Sequence, residues 1–350
     1  MLSQFTPCET AVSLSRPRPC DRLERLTPMK VFNFDPADYR SQYQQQGYVH
    51  IREGVTTEFH DYLLKFVAEL ESHRLAELAG KGNKEQALLE FPDDVDYPGE
   101  LYDVIAEVSG LNRATMVLSE RHIKAYEADA KPEPTAHKDR YPSQVSVGLS
   151  IRIPEDSTLV LYPHDHVTPN PFNSAAELWA SLQPDEQPDV ALENAREVEL
   201  DDHDRDVLIF PGSATWHLRR RGANVVNLYL KFNDFGSDPL GEDPGTAGLR
   251  ERTLGALQSG DGLDALIPTL SRRLDTVEQV YTRGWAESLQ VRIYGEAPFG
   301  ITRTQYEALR LADGRRSLAD VLSEVAAGGD IERARREVLG LAERGALDLL

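Results

Sequence analysis

The spacing of apolar positions changes period twice along the chain, and each change predicts a different architecture. Near the start, Asp35 to Gln46 reads as a short helix that Gly47 stops, followed by a strand at Tyr48-Val49-His50-Ile51. After Thr57, Phe59, Leu63, Phe66, Val67 and Leu70 line one face of a second helix. The middle of the chain then shortens its period. Arg121 to Ala128, Gln144 to Ile153, Thr158 to Tyr162, Asp206 to Phe210 and Asn224 to Phe232 are short, β-branched or alternating runs broken by Pro, Gly and Asn. Strands in succession without helices between them predict an antiparallel barrel or sandwich.

Between these strands, residues 173–205 form an acidic, partly helical insertion whose Asp185, Glu186, Asp189, Glu193 and Asp201 read as a solvated face. Past Asp243-Pro244-Gly245 the pattern turns helical, predicting a connector over 246–287. Residues 288–350 then read as a small α+β module resembling a winged helix. There Thr304 and Glu307 are spaced as a capping box, Leu318, Val321, Leu322 and Val325 share a face, and Ala346 to Leu350 form a closing strand. The expected domains are a disordered leader over 1–28, a β-rich domain over 29–245, the connector and the C-terminal module.

Charge narrows the function. With 38 basic and 58 acidic side chains the formal net charge is -20, which repels nucleic-acid backbones and anionic membranes. Arg219-Arg220-Arg221 is the one compact basic run. No apolar run approaches the roughly 18 residues of a membrane span. The only cysteines, Cys8 and Cys20, lie in the leader, which lacks a continuous apolar stretch, so the reading is a reduced, cytoplasmic chain.

His137 and Asp139 are two residues apart, a spacing that puts two ligands on one face of a strand. Random placement of 9 histidines among so many acids would give about 1.5 such pairs, so the context matters more than the pair. Apolar strands follow, then Asp206-Val207-Leu208-Ile209-Phe210-Pro211-Gly212 runs into a turn, and Trp216-His217 opens the next stretch. Two imidazoles and a carboxylate form a facial triad that leaves adjacent iron positions open. A closed zinc site usually takes four protein ligands, commonly with thiolate, and neither cysteine is near these residues in sequence.

Over residues 30–240 this order resembles the iron(II)/2-oxoglutarate-dependent oxygenases, whose core is a double-stranded β-helix of the jelly-roll or cupin kind. The helix leading into Gln46-Gly47-Tyr48-Val49 is similar to the start of the phytanoyl-CoA hydroxylase-like branch. His137-Lys138-Asp139 resembles its first metal motif, Leu161 to His166 stands where that branch often has a Pro-Gly-Ser-His turn, and Asp206 to His217 is similar to the strand and turn presenting its distal histidine. The JmjC/cupin-like branch is the second choice. The resemblance implies Fe(II) held by His137, Asp139 and His217, with 2-oxoglutarate and O2 as co-substrates. The outcome would be hydroxylation of a small molecule with release of succinate and CO2. Asp139 argues against halogenation, because the related halogenases carry a small residue there.

The family also needs a cation for the far carboxylate of 2-oxoglutarate. Lys231, in phase with Asn227, Tyr229 and Asn233, is favoured, and Arg152 is the competitor at the JmjC-like spacing. Lys124 and Tyr126 are further candidates to line that pocket, while Arg140, Arg219 and Arg221 are candidates to meet an anionic substrate. Trp216 reads as packing, His203 as exposed, and His164 with His166 as a weaker rival metal pair of the cupin type. Two other functions stay open: a peptide hydroxylase that docks its target through the C-terminal module, and a non-enzymatic cupin-like protein that binds a partner or self-associates there.

Overall fold

Gly47 adopts φ 76° and donates its N–H to Tyr43 O at 2.8 Å, ending the first helix where a left-handed residue is needed. A computed structural model describes residues 29–73, 84–93, 95–281, 287–326 and 328–350; the leader with Cys8 and Cys20 lies outside them. That helix is α1 (Ala37–Gln46), and it leads into β1 (Val49–Ile51) and α2 (Thr57–His73). Then come β2 (Lys84–Leu88), a π-helical turn at Pro98–Asp103, α3 (Val104–Ser109), β3 (Val117–Tyr126), β4 (Val145–Arg152) and β5 (Thr158–Tyr162). The insertion holds α4 (Ala175–Ser181), α5 (Pro188–Ala191) and β6 (Val198–Leu200), and is followed by β7 (Val207–Phe210), β8 (Trp216–Arg220) and β9 (Val226–Asn233).

These strands form two antiparallel sheets, ordered β1-β7-β4-β9-β3-β2 and β6-β5-β8, and His137 adds an isolated bridge to His217 on β8. The chain alternates between the sheets: β3 in the first, His137 against the second, β4 back in the first, β5 and β6 in the second, then β7, β8 and β9 in turn. This is the winding of a double-stranded β-helix, as expected.

Period-two side-chain alternation divides each strand of the large sheet between two environments. Val145, Val147, Leu149, Val207, Ile209, Leu228, Leu230 and Phe232 pack outward into one core with Phe59, Leu63, Val67 and Ile105 of the helices. Facing inward on the same strands are Ser146, Ser150, Asn227, Tyr229, Lys231, Glu120, His122 and Lys124, a polar wall. Opposite them, on the small sheet, Leu159, Leu161 and Leu200 form an apolar set that Leu208 and Phe210 of β7, beside the polar wall, complete.

The acidic insertion is more than a solvated face. Leu178 and Leu192 bury against Val160, Trp216 and Leu218, covering the outer side of the small sheet, and β6 extends that sheet. Burial of each leucine contributes roughly 1.5–3 kcal/mol. Trp216 is 3% exposed in this cluster, the packing role expected of it.

The chain divides into two compact units, the first ending at Phe235 and the second running Gly236–Leu350. The break falls earlier than expected because Asp238 takes the N–H groups of Gly241, Glu242 and Asp243 and gives its own to Arg272 O, tying this segment to later residues. The second unit contains α6 (Pro244–Ser259), β10 (Pro268–Leu270), β11 (Leu274–Tyr281), β12 (Glu287–Ile293), β13 (Phe299–Gly300), α7 (Arg303–Leu311), α8 (Leu318–Ala326), α9 (Ile331–Glu343) and β14 (Leu347–Leu349). The helical connector is therefore helix only to Ser259. Leu274 to Tyr281 becomes a strand by pairing with β12, a partner that helical periodicity cannot reveal. The capping box is Thr302 with Gln305, two residues before the expected pair. Three helices and a strand do follow one another, yet β14 pairs with β10, which lies before the expected module. Among the described residues, no helix is long and apolar enough to cross a membrane.

Candidate metal centre

His137 and His217 meet because their backbones pair: each N–H donates to the other's carbonyl at 2.9 Å. The ring centroids then lie 4.4 Å apart, with Phe210 edge-on to His217 at 4.9 Å. Asp139 is set by its N–H to Gly212 O at 3.0 Å and by Asn170 Nδ2 to its carbonyl at 3.0 Å. A ligand atom from each of His137, Asp139 and His217 lies within 4.8 Å of the other two, the one such group of three among the described residues.

The donors suit a divalent ion. His217 Nδ1 is 2.9 Å from Thr215 O, which makes Nδ1 the protonated nitrogen and leaves the Nε2 lone pair for a metal. Burial alone would raise the Asp139 carboxyl, but Lys231, His217 and His137 outweigh it and hold the group far below the usual carboxylate range. It is a ready anionic ligand. Gly212 is required by close approach: a Cβ there would stand 1.7 Å from Ser146 Oγ and 2.5 Å from Asp139 Oδ2.

Lys231 is 2% exposed and is bonded to Asp139 Oδ2, with Ser146 Oγ at 3.0 Å. Arg152 corrects the expectation, since it points outward, its side chain is 46% exposed, and it pairs with Glu71 on α2 at 3.1 Å. A register shift on β4 between Ser150 and Arg152 takes it out of phase with the inward serines. Lys124 and Arg140 both reach Glu120, at 2.8 and 2.7 Å, in a buried cluster that also includes His122 at 3.5 Å. Tyr126 lies at the far end of β3, next to Gly222.

Arg219 is 4% exposed and pairs with Asp202 through both terminal nitrogens, so it is an interior residue. Ser150 Oγ donates to Asp202 Oδ2 at 2.8 Å, and Asn227, with its amide turned to accept, takes Arg219 Nη2 at 3.1 Å. Arg219 Nε is buried without a hydrogen-bond partner. Arg221 instead is exposed at the far end of β8, donating to Asp156 O, away from the histidine end. That position does not fit the expected substrate contact.

Two residues went unread in the sequence. Lys138, between the two ligands, buries its Nζ against His166 O (2.7 Å), Thr168 O (2.7 Å) and Thr168 Oγ1 (3.1 Å), pinning the loop after β5. Burial pushes its pKa down to about 8. Asp202 hid among the insertion's acids; only the inward phase of Arg219 with His217 could have signalled a buried partner. His164 and His166 are exposed and belong to no such three-residue group. His203 is exposed as expected, although its ring contacts Arg52 at 2.5 Å.

Fold and donor set together define a double-stranded β-helix carrying a two-histidine, one-carboxylate cluster between its two sheets. No family model matches the sequence, and no curated protein matches it. Among solved structures the chain is similar to the non-heme alpha-ketoglutarate-dependent carbocyclase SnoK from nogalamycin biosynthesis, at 14% identity and TM-score 0.44 over 59% of this chain and 87% of that one. It is also similar to the epimerase SnoN of the same biosynthesis, at 16% identity and TM-score 0.41 over 57% and 84%. HygX from Streptomyces hygroscopicus, with nickel and 2-oxoglutarate bound, gives 12% identity and TM-score 0.38 over 57% and 87%.

Proposed function

We propose that this protein is an iron(II)- and 2-oxoglutarate-dependent dioxygenase that hydroxylates a C–H bond of a small molecule. The observation that carries the reading is the cluster of His137, Asp139 and His217, three donors within 4.8 Å of one another between the two sheets. Two imidazoles and one carboxylate leave open metal positions for a co-substrate and dioxygen. Iron supplies the activation of dioxygen, coupled to decarboxylation of the 2-oxoacid.

The chain's own residues do the rest. The His137–His217 bridge fixes both imidazoles on paired backbones, and Thr215 O fixes the tautomer of His217. For the far carboxylate of the co-substrate, Arg219 is the better anchor. It lies two residues, about 6.7 Å of strand rise, deeper than His217, and it keeps a buried Nε without a partner. Both cations already have a carboxylate partner, Arg219 in Asp202 and Lys231 in Asp139, so only Arg219 can turn to the co-substrate without releasing a candidate metal ligand. Two residues past Asp139, Tyr141 lies against Phe235 with ring centroids 4.7 Å apart and planes tilted by 36° while both stay exposed, a surface suited to a ring or apolar face of the substrate.

The test is succinate formation from 2-oxoglutarate with Fe(II) under air, in the wild type and in Asp139→Ala. Metal-dependent succinate in the first and none in the second is expected. Stoichiometric metal binding without any succinate, with or without candidate substrates, would refute the 2-oxoglutarate reading. Arg219→Met should raise the 2-oxoglutarate requirement at least tenfold while metal affinity stays within about threefold.

A further inference from the structure

Besides the three donor residues, the cluster contains a fixed positive charge. Lys231 Nζ bonds Asp139 Oδ2 and Ser146 Oγ, and Ser146 Oγ donates to the same Oδ2 at 2.7 Å. Both bonds fall on one carboxylate oxygen, and the close approach of Gly212 makes room for this clamp. The ammonium is buried, and it stands 5.3 Å from the centroid of the Tyr229 ring on the same inner wall. A buried carboxylate without a partner is strongly destabilising, so a chain that folds before it meets metal needs a counter-ion there.

We propose that Lys231 is the built-in counter-ion and positioning residue of Asp139, stabilising the metal-free fold and holding the carboxylate in register at the cost of weaker divalent-ion binding. This rests on the metal reading above. With metal absent, ammonium and carboxylate neutralise one another inside the barrel. With metal present, the same ammonium faces a divalent cation across one carboxylate, and the two positive charges repel in a region of low effective dielectric. Ser146 acts without charge: it orients Oδ2 and leaves the net charge of the site unchanged. The role differs from that of a co-substrate anchor, because the partner of Lys231 is the ligand itself.

The experiment pairs Lys231→Met and Lys231→Gln with Ser146→Ala in the full chain. It measures the Tm of the metal-free protein and the affinity for Co(II) and Mn(II) by anaerobic calorimetry. Both Lys231 variants should lower the metal-free Tm and bind Co(II) at least tenfold more tightly than the wild type, so that metal restores most of the lost Tm. Glutamine keeps a donor and covers the case in which the methionine variant fails to fold. Ser146→Ala should instead loosen Co(II) binding several-fold with a smaller change in metal-free Tm. An unchanged metal-free Tm and an unchanged or weaker Co(II) affinity in both lysine variants would overturn the proposal, and a rise in the 2-oxoglutarate requirement alone would make Lys231 an anion anchor. If the wild type binds no divalent ion, the metal reading fails and the affinity half falls with it. The metal-free Tm then still decides whether Lys231 is the counter-ion.

Discussion

The first unit and the Gly236–Leu350 unit bury charge to different degrees and with different partners. Inside the barrel, Asp139, Asp202 and Glu120 each meet a side-chain cation: Lys231, Arg219, and both Lys124 and Arg140. In the second unit the core is Leu, Val and Ala around Val291, Leu309, Leu322, Val338 and Leu341. Its buried acids lean more on backbone and hydroxyls: Asp238 takes three N–H groups, Asp243 caps α6 through Gly245 N while also pairing with the part-exposed Arg272 at 3.3 Å, and Asp348 accepts from Thr253 Oγ1. Buried acids that cap backbone shape a fold. Ion pairs converging on a shared space, beside two histidines, cost desolvation that packing alone would not require, and so point to chemistry.

The largest effect that would test this contrast is loss of a donor. His137→Ala or His217→Ala should reduce metal-dependent turnover to background while thermal unfolding moves little, checked by succinate assay beside a melting curve. A core change in the other unit should do the reverse. Leu341→Ala should cost about 2–5 kcal/mol in denaturant unfolding and leave Co(II) affinity of the folded protein unchanged.

Gly212→Ala lies between these extremes. Its Cβ must push apart Ser146 Oγ and Asp139 Oδ2, so Co(II) affinity should fall about 10–100-fold and stability by about 1–3 kcal/mol. The smallest effect is expected at Asp206, a buried acid of the first unit that combines two backbone N–H groups with His50 and Arg52. It accepts from His50 Nε2 (2.8 Å), Arg52 Nη1 (3.0 Å), Glu53 N (2.9 Å) and His203 N (2.9 Å). Burial raises its pKa, but these bonds outweigh it and hold the group below the ordinary value. Its stabilisation is therefore complete above about pH 4 and is lost as the pH falls through the lowered value. Asp206→Asn should cost about 1–2 kcal/mol at neutral pH, and the gap to wild type should narrow as the pH falls below about 4, read from unfolding curves at pH 7 and pH 3. A gap that does not narrow between them would contradict the carboxylate's role.

Much of this was legible in the sequence, for physical reasons. α1 with its glycine stop, α2, and the strands at Val145–Arg152, Thr158–Tyr162, Val207–Phe210 and Val226–Asn233 carry local signals of period or turn chemistry. β2, Lys-Glu-Gln-Ala-Leu, carries none and is a strand only because β3 offers it an edge. The same holds for β6 inside the acidic insertion and for β10 and β11. The candidate metal donors, which the structure brings together, were readable because two lie in one tripeptide and the third follows a strand and turn. What the charged residues do was less readable. Arg219 looked like a substrate contact within an arginine run, Lys231 looked like an anion anchor, and Arg152 rivalled it, because each cation's partner sits on a distant element.

The most direct measurement of the central claim is an anaerobic titration of Fe(II) and 2-oxoglutarate followed by visible absorbance. A charge-transfer band that requires both, saturates at one iron per chain and vanishes in Asp139→Ala is the predicted result. Iron bound at that stoichiometry with no change in absorbance when 2-oxoglutarate is added would contradict it.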